Sequence, residues 1–227
     1  MNIFKQIILI LSLFCVALPA RAIDQGEPET PTYMKDPTYM KLVPKSFYFI
    51  RHGQTDWNKE QRLQGQTDIP LNDMGREQAE TLQALVATIK ISHVYYSPLL
   101  RAQETMHIAC KHLSIPKVAL EGLKELHCGE WEGTVCDQIK KEALFHPIKP
   151  VVPENGESYP IFHERVIGSV NTVLEQIDGQ VLFIGHGGNF RAFCRAIETT
   201  YDAARNCTLF YFVAPDETDD QWRIYEL

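Results

Sequence analysis

Two short apolar runs, Phe47 to Ile50 and Val181 to Ile184, each stop at a histidine-bearing turn. Arg51-His52-Gly53 follows the first, and Gly185-His186-Gly187 follows the second. Apolar runs of this length read as strands buried on both faces, which requires helices above and below the sheet. The residues between them supply those helices. Asn72 is placed to cap a helix in which Ala79, Leu82, Leu85 and Ile89 recur every three or four residues. His93 to Tyr96 reads as the next strand. Ser97-Pro98 then offers an N-cap and a favoured first helical residue, so a helix is expected from there to about His112. Thr134 and Asp137 have the spacing of a capping box, with Asp in place of Glu, and predict a short helix towards Phe145. A long helix is expected from about Pro160 to Ile177, with Val166, Val170, Val173 and Ile177 on one face, and a further one over Phe190 to Ile197. Thr208 to Val213 and Trp222 to Tyr225 read as strands close enough in sequence to pair antiparallel at an edge. This alternation specifies an α/β domain, a three-layer sandwich with a mostly parallel central sheet.

Open α/β sheets bind ligands at the carboxyl ends of their strands, so both histidines are expected on one rim. Arg101, one turn into the helix after Ser97, is placed to face that rim too. Two arginines, two histidines and helix N-terminal amides make an anion pocket. Arginine's planar fork holds two phosphoryl oxygens together. An imidazole between two guanidinium groups resists protonation and keeps a lone pair for attack on phosphorus. A second histidine can donate hydrogen bonds to the oxygens as charge gathers there, and a carboxyl group must protonate the leaving oxygen. Each piece has a plainer alternative. Arg-His-Gly arises by chance, His-Gly-Gly forms tight turns, Arg101 can pair with Glu104 at the surface, and the glutamates between 125 and 132 can lie in a solvated loop. Their joint arrangement favours the chemical reading.

The N-terminus is read separately. Lys5 precedes an apolar stretch, Ile7 to Leu18, and then Pro19-Ala20-Arg21-Ala22. This is the layout of a secretory signal peptide over residues 1–22, with cleavage expected after Ala22 or, alternatively, Ala20. An uncleaved anchor and a plain N-terminal helix are the competing readings. The apolar stretch is shorter than the ~20 residues that span a bilayer. Export to the periplasm or the medium is therefore expected, with no stable membrane insertion after cleavage. Removal of Lys5 and Arg21 leaves 20 basic against 29 acidic side chains and a net charge of −9, which argues against nucleic acid as a partner. Five cysteines remain at scattered spacings and form neither a disulfide framework nor a zinc pattern. Cys128 and Cys136 are the one pair with a case for bridging, whereas Cys110 and Cys194 read as buried thiols. Residues 23–45 carry a tandem echo, Pro31 to Asp36 and Pro37 to Lys41. An extended arm lying on the domain at 46–227 is expected, or alternatively a homodimer contact.

The motifs in order resemble those of the histidine phosphatase superfamily, in its phosphoglycerate-mutase-like branch (branch 1). Residues 50 to 58 read Ile-Arg-His-Gly-Gln-Thr-Asp-Trp-Asn. Arg62 to Gly65 with Asp68 and Pro70-Leu71, Ser97 to Thr105, Leu123 to Gly133, Gly156 to Ser158 with Arg165, and Gly185 to Arg191 come after it in order. The resemblance implies a phosphoglycerate-mutase-like fold and a phosphohistidine formed on His52. It implies Arg51, Arg101 and His186 as phosphate-binding partners, with Asn58 and the Gly187 backbone helping to hold the phosphoryl oxygens. Glu125 is the implied proton donor, with Glu130 and Glu132 as nearby rivals. No metal and no cofactor is implied. The family's mutases carry a longer insert before the second histidine, whereas Thr134 to Pro153 is short, with only Lys140, Lys141 and Lys149 basic. A phosphatase acting on a small phosphorylated molecule is thus favoured over a mutase or a non-catalytic phospho-ligand binder. His127, Trp131, Phe145 and His146 are candidates for a lid over the pocket.

Overall fold

The computed structural model describes residues 39–146, 149–200 and 204–227, together with the backbone of Arg21 and Ala22. Apart from those two, the signal-peptide and arm residues before 39 lie outside the described residues. The strands are β1 (Arg21–Ala22), β2 (Phe47–Arg51), β3 (His93–Tyr96), β4 (Lys117–Ala119), β5 (Val181–Gly185), β6 (Leu209–Val213) and β7 (Arg223–Glu226). The helices are α1 (Asp56–Lys59), α2 (Asp73–Val86), α3 (Leu100–Ala109), α4 (Gln138–Leu144), α5 (Tyr159–Gln176) and α6 (Gly187–Ala196).

The sheet runs β1-β7-β6-β2-β5-β3-β4. β2, β5, β3 and β4 are parallel; β6 joins β2 antiparallel and β7 joins β6 antiparallel, as the sequence spacing of the last two strands implies. Alternate residues of the central strands pack into two helical layers. Phe47, Phe49, Phe183, Phe210 and Phe212 meet α5 and α6 through Phe162, Val166, Val170, Phe190 and Phe193. Ile50, Val94, Leu182, Ile184 and Leu209 meet α2 and α3 through Leu82, Val86, Met106 and Ala109. Each fully buried ring or branched chain contributes ~1.5–3 kcal/mol of apolar burial, so these two seams hold the rim of the sheet rigid.

Several local expectations are revised. Ser97 does not cap α3: the N-cap is Leu99, and the Leu100 N–H is held at 2.6 Å by Asp68 Oδ1 from a distant loop. The Ser97 hydroxyl is taken by His186 instead. α3 ends at Ala109 rather than His112, and Ile89 lies past the end of α2, although it still packs on the core. The helix after Thr134 forms, but its cap is Asp137, which accepts from Lys140 N at 2.7 Å, while Thr134 donates to Trp131 O. β4 and α1 are too short to show a period. The segment expected as a surface arm enters the core at its end, because Tyr39 and Leu42 are buried. Asn171 of α5 clamps it, accepting from Val43 N and donating to Lys41 O. Lys45 donates to the carbonyls of Leu174 and Ile177, which the end of α5 leaves unpaired.

Candidate active site

The register of β2 against β5 sets Arg51 opposite Gly185, so the residue after each strand is a histidine on the same rim. The His52 N–H donates to Gly185 O at 2.9 Å, and the two imidazole centroids are 5.2 Å apart. His52 Nδ1 lies 2.7 Å from Gly53 O. A carbonyl only accepts, so Nδ1 carries the proton and Nε2 keeps the lone pair. Burial, then Arg101, then Arg51 hold the His52 pKa well below the ordinary histidine value. His186 is depressed in the same way, by burial and then Arg101, His52 and Arg51. Its backbone N–H is held by Asn189 Oδ1 at 2.8 Å, and its Nε2 lies 2.7 Å from Ser97 Oγ.

The arginines are fixed by carbonyls rather than by carboxylates. Arg51 donates to Ala204 O at 2.6 Å. Arg101, with no exposed surface, donates to Gly65 O at 2.7 Å and Thr67 O at 3.0 Å. Burial is the largest influence on Arg101 and brings its pKa to about 10, which leaves it charged at neutral pH. The loop that holds it is organised by Glu132, whose carboxylate accepts the N–H groups of Gln66 (2.9 Å), Thr67 (2.8 Å) and Cys128 (3.1 Å). Glu132 is thereby occupied as a scaffold, and Glu130 is exposed. Glu125 faces the same cavity as His52. Its oxygens accept from Leu126 N at 2.8 Å and from Gly188 N at 3.0 Å. Arg165 braces the segment that carries Glu125 by donating to Gly122 O and Lys124 O, while pairing with Glu157.

The cavity has a volume of about 460 Å³ and contains His52, Arg51, Arg101, Asn58, Glu125 and Gly187 in its wall. His186 has no exposed surface and is not one of the residues that line this cavity, although its ring centroid is 5.2 Å from that of His52. Asn58 Oδ1 accepts from Thr55 N and Asn206 Nδ2, which turns the amide nitrogen into its remaining donor. Three buried polar atoms at the site have no protein partner among the described residues: Arg51 Nε, Arg101 Nε and His186 Nδ1. Such atoms cost ~1–3 kcal/mol each when unsatisfied, and an oxyanion is the ligand that suits donors of this kind. Of the lid candidates only Phe145 lines the cavity; Trp131 lies under Lys140 instead. The Cys128 and Cys136 thiols are free. The sequence reading missed Ser97 as the partner of His186, Asn206, and two cations in the wall, Lys141 and Arg191. The helical spacing of Arg191 from Gly187 was the available signal.

The depressed His52 pKa has a kinetic consequence. Lowering the pH should not protonate His52 at the ordinary histidine value near 6.5 but only well beneath it. Turnover is therefore expected to persist through pH 6.5 and to fail at a lower pH. A pH–rate profile corrected for the substrate's own ionisation near 6 checks this. An acid limb centred at the ordinary histidine value would contradict it.

Comparison with known proteins places this geometry in context. The sequence model of the histidine phosphatase superfamily (branch 1) matches residues 47–211. Phosphoglycerate mutase-like protein 4 of Arabidopsis thaliana is 34% identical over 168 residues, covering 70% of this chain and 71% of that protein. Uncharacterized phosphatase PhoE of Bacillus subtilis is 32% identical over 149 residues, covering 65% and 75%. A solved structure of phosphoglycerate mutase from Thermus thermophilus superposes with a TM-score of 0.63 at 30% identity, covering 80% of this chain and 98% of that one.

Proposed function

The chain belongs to the histidine phosphatase superfamily (branch 1), and we propose that within it this protein hydrolyses small phosphomonoesters through a phosphohistidine on His52. The observation that carries the reading is the hydrogen bond from His52 Nδ1 to Gly53 O, which leaves the Nε2 lone pair beside Arg51 and Arg101. In the first step Nε2 attacks phosphorus, the bond from phosphorus to the ester oxygen breaks, and the Glu125 carboxyl gives that oxygen its proton. Arg51, Arg101, His186 and Asn58 hold the phosphoryl oxygens as charge gathers on them. In the second step water attacks the phosphohistidine, its proton returns to Glu125, and the P–N bond breaks to release phosphate. Every proton is accounted for by Glu125, so no metal ion is required for the balance.

Names among the relatives include both mutase and phosphatase. The short Thr134 to Pro153 segment supports hydrolysis. Rapid quenching of turnover with a labelled phosphomonoester, in the presence of a chelator, tests the proposal. The expected result is an acid-labile, base-stable label on His52 that leaves as inorganic phosphate. A label on another residue, arrest by the chelator, or transfer to a second hydroxyl of a glycerate without phosphate release would overturn it. Export is part of the same proposal and rests on the pattern of residues 1–22; N-terminal sequencing of secreted protein is expected to begin at Ile23 or Arg21.

A further inference from the structure

The loop ahead of β6 does not line the catalytic cavity, yet it holds three residues that do: Arg51, His52 and Asn58. The Arg51 guanidinium donates to Ala204 O at 2.6 Å, and the Arg51 carbonyl accepts from Cys207 N at 2.9 Å. Between those two contacts Asn206 turns both protons of its amide towards the site. Its Nδ2 donates to His52 O at 2.8 Å and to Asn58 Oδ1 at 3.3 Å. A carbonyl only accepts, so the bond to His52 fixes which end of the Asn206 amide is nitrogen. The Thr55 N–H fixes the Asn58 amide in the same way, 3.2 Å from its Oδ1. One amide nitrogen therefore ties the backbone of His52 to a side chain whose remaining donor is its own nitrogen. The loop is strained where it does so. Cys207 has φ 48°, in the left-handed region that residues other than glycine seldom adopt. Such a conformation persists where the surroundings over-determine it. Here they are the bond from Cys207 to Arg51 and, one residue earlier, those from Asn206. Asn206 itself lines a separate cavity of about 700 Å³ that shares Arg51 with the catalytic one, so close packing does not by itself call for an asparagine.

We propose that Asn206 is a positioning residue for phosphoryl transfer, its amide setting the place of the His52 backbone and the reach of the Asn58 amide together. This rests on the hydrolase reading and adds to it a group that does not touch substrate. Asn206→Asp keeps the shape but removes both donors, and sets a carboxylate against two oxygens. Asn206→Ala removes the donors and the volume. In both, kcat on an alkyl phosphate is expected to fall by about 10–100-fold, the order of loss that follows from misplacing a reacting atom by about 1 Å. The aspartate variant is expected to be at least as impaired as the alanine variant. Unchanged kcat in Asn206→Asp would reduce the residue to a space-filling role and overturn the proposal. Calorimetry with inorganic phosphate reads the link to Asn58 without turnover. Asn206→Ala is expected to weaken phosphate by about three- to ten-fold, the worth of one hydrogen bond, and to have no such effect beside Asn58→Ala. An equal loss in both backgrounds overturns the link. Hydrogen exchange of the Asn206 side-chain amide in the unsubstituted chain, followed by NMR, does not depend on how a variant folds. Both protons are expected to exchange more slowly than those of a free asparagine, and exchange of both at the free rate overturns the proposal. Phosphate affinity that depends on Asn206 through Asn58, in a chain without turnover, supports the positioning role and counts against the hydrolase.

Discussion

Replacing His52 by alanine is expected to lower turnover by about four to six orders of magnitude and to abolish the acid-labile phosphoenzyme. The magnitude reflects the contribution of the side chain alone. His52 is the group whose lone pair faces the phosphate cavity with its other nitrogen already tied, to Gly53 O. His186 has the same burial and a depressed pKa, but its Nε2 is engaged with Ser97 Oγ. Loss of His52 removes a neutral group, so the cationic wall is unaltered, and binding of inorganic phosphate should survive. Turnover near the unsubstituted level, or an adduct on His186, would refute the assignment. Loss of phosphate binding together with turnover would show that the substitution had collapsed the pocket.

Glu125→Gln is the second large effect, an expected loss of about 10²–10⁴ on alkyl phosphates, the range of a positioned proton donor. The amide conserves volume and keeps an oxygen for one of the two N–H groups that the carboxylate accepts, those of Leu126 and Gly188, so a stability loss of about 1–3 kcal/mol for the other is expected beside the kinetic effect. The proton matters only where the leaving oxygen needs one. On p-nitrophenyl phosphate, whose phenolate leaves unprotonated, the loss should be much smaller. Gly188→Ala is expected to give the same leaving-group dependence by a different route. A Cβ there would lie 2.0 Å from Glu125 Oε1 and 3.0 Å from Phe162 Cζ, and the carboxylate must move away. An equal loss on both kinds of ester would exclude Glu125 as the proton donor.

These expectations show how far one-dimensional pattern reaches. The apolar runs before Arg51 and Gly185 were readable because strands buried on both faces need no alternation, and the longer helices because an apolar stripe repeats every three or four residues. Helix ends were read less well. Ser97 has the chemistry of a cap, yet its hydroxyl serves His186, and Asp68 serves α3 from 32 positions away. Local propensity cannot register a partner that arrives through folding. The carboxylates show the same limit. Glu125, Glu130 and Glu132 fall within eight residues, and only the fold makes one exposed, one a scaffold for the Arg101 loop, and one a wall of the cavity.

Sequence alone determined the residue types and the strand ends that carry them: a buried strand must stop where its apolar run stops, and the residues just beyond it lie on the rim. Tertiary structure decided the rest. β2 and β5 are adjacent and in a register that sets Arg51 beside Gly185, which brings His52 and His186 within 5.2 Å. It also turned His52 so that Nδ1 meets a carbonyl, and carried Lys141 and Arg191 from separate helices into one wall. The physical reason is that register, tautomer and charge clustering are pairwise properties of groups far apart in the chain, set by packing across the sheet rather than by the identity of either residue.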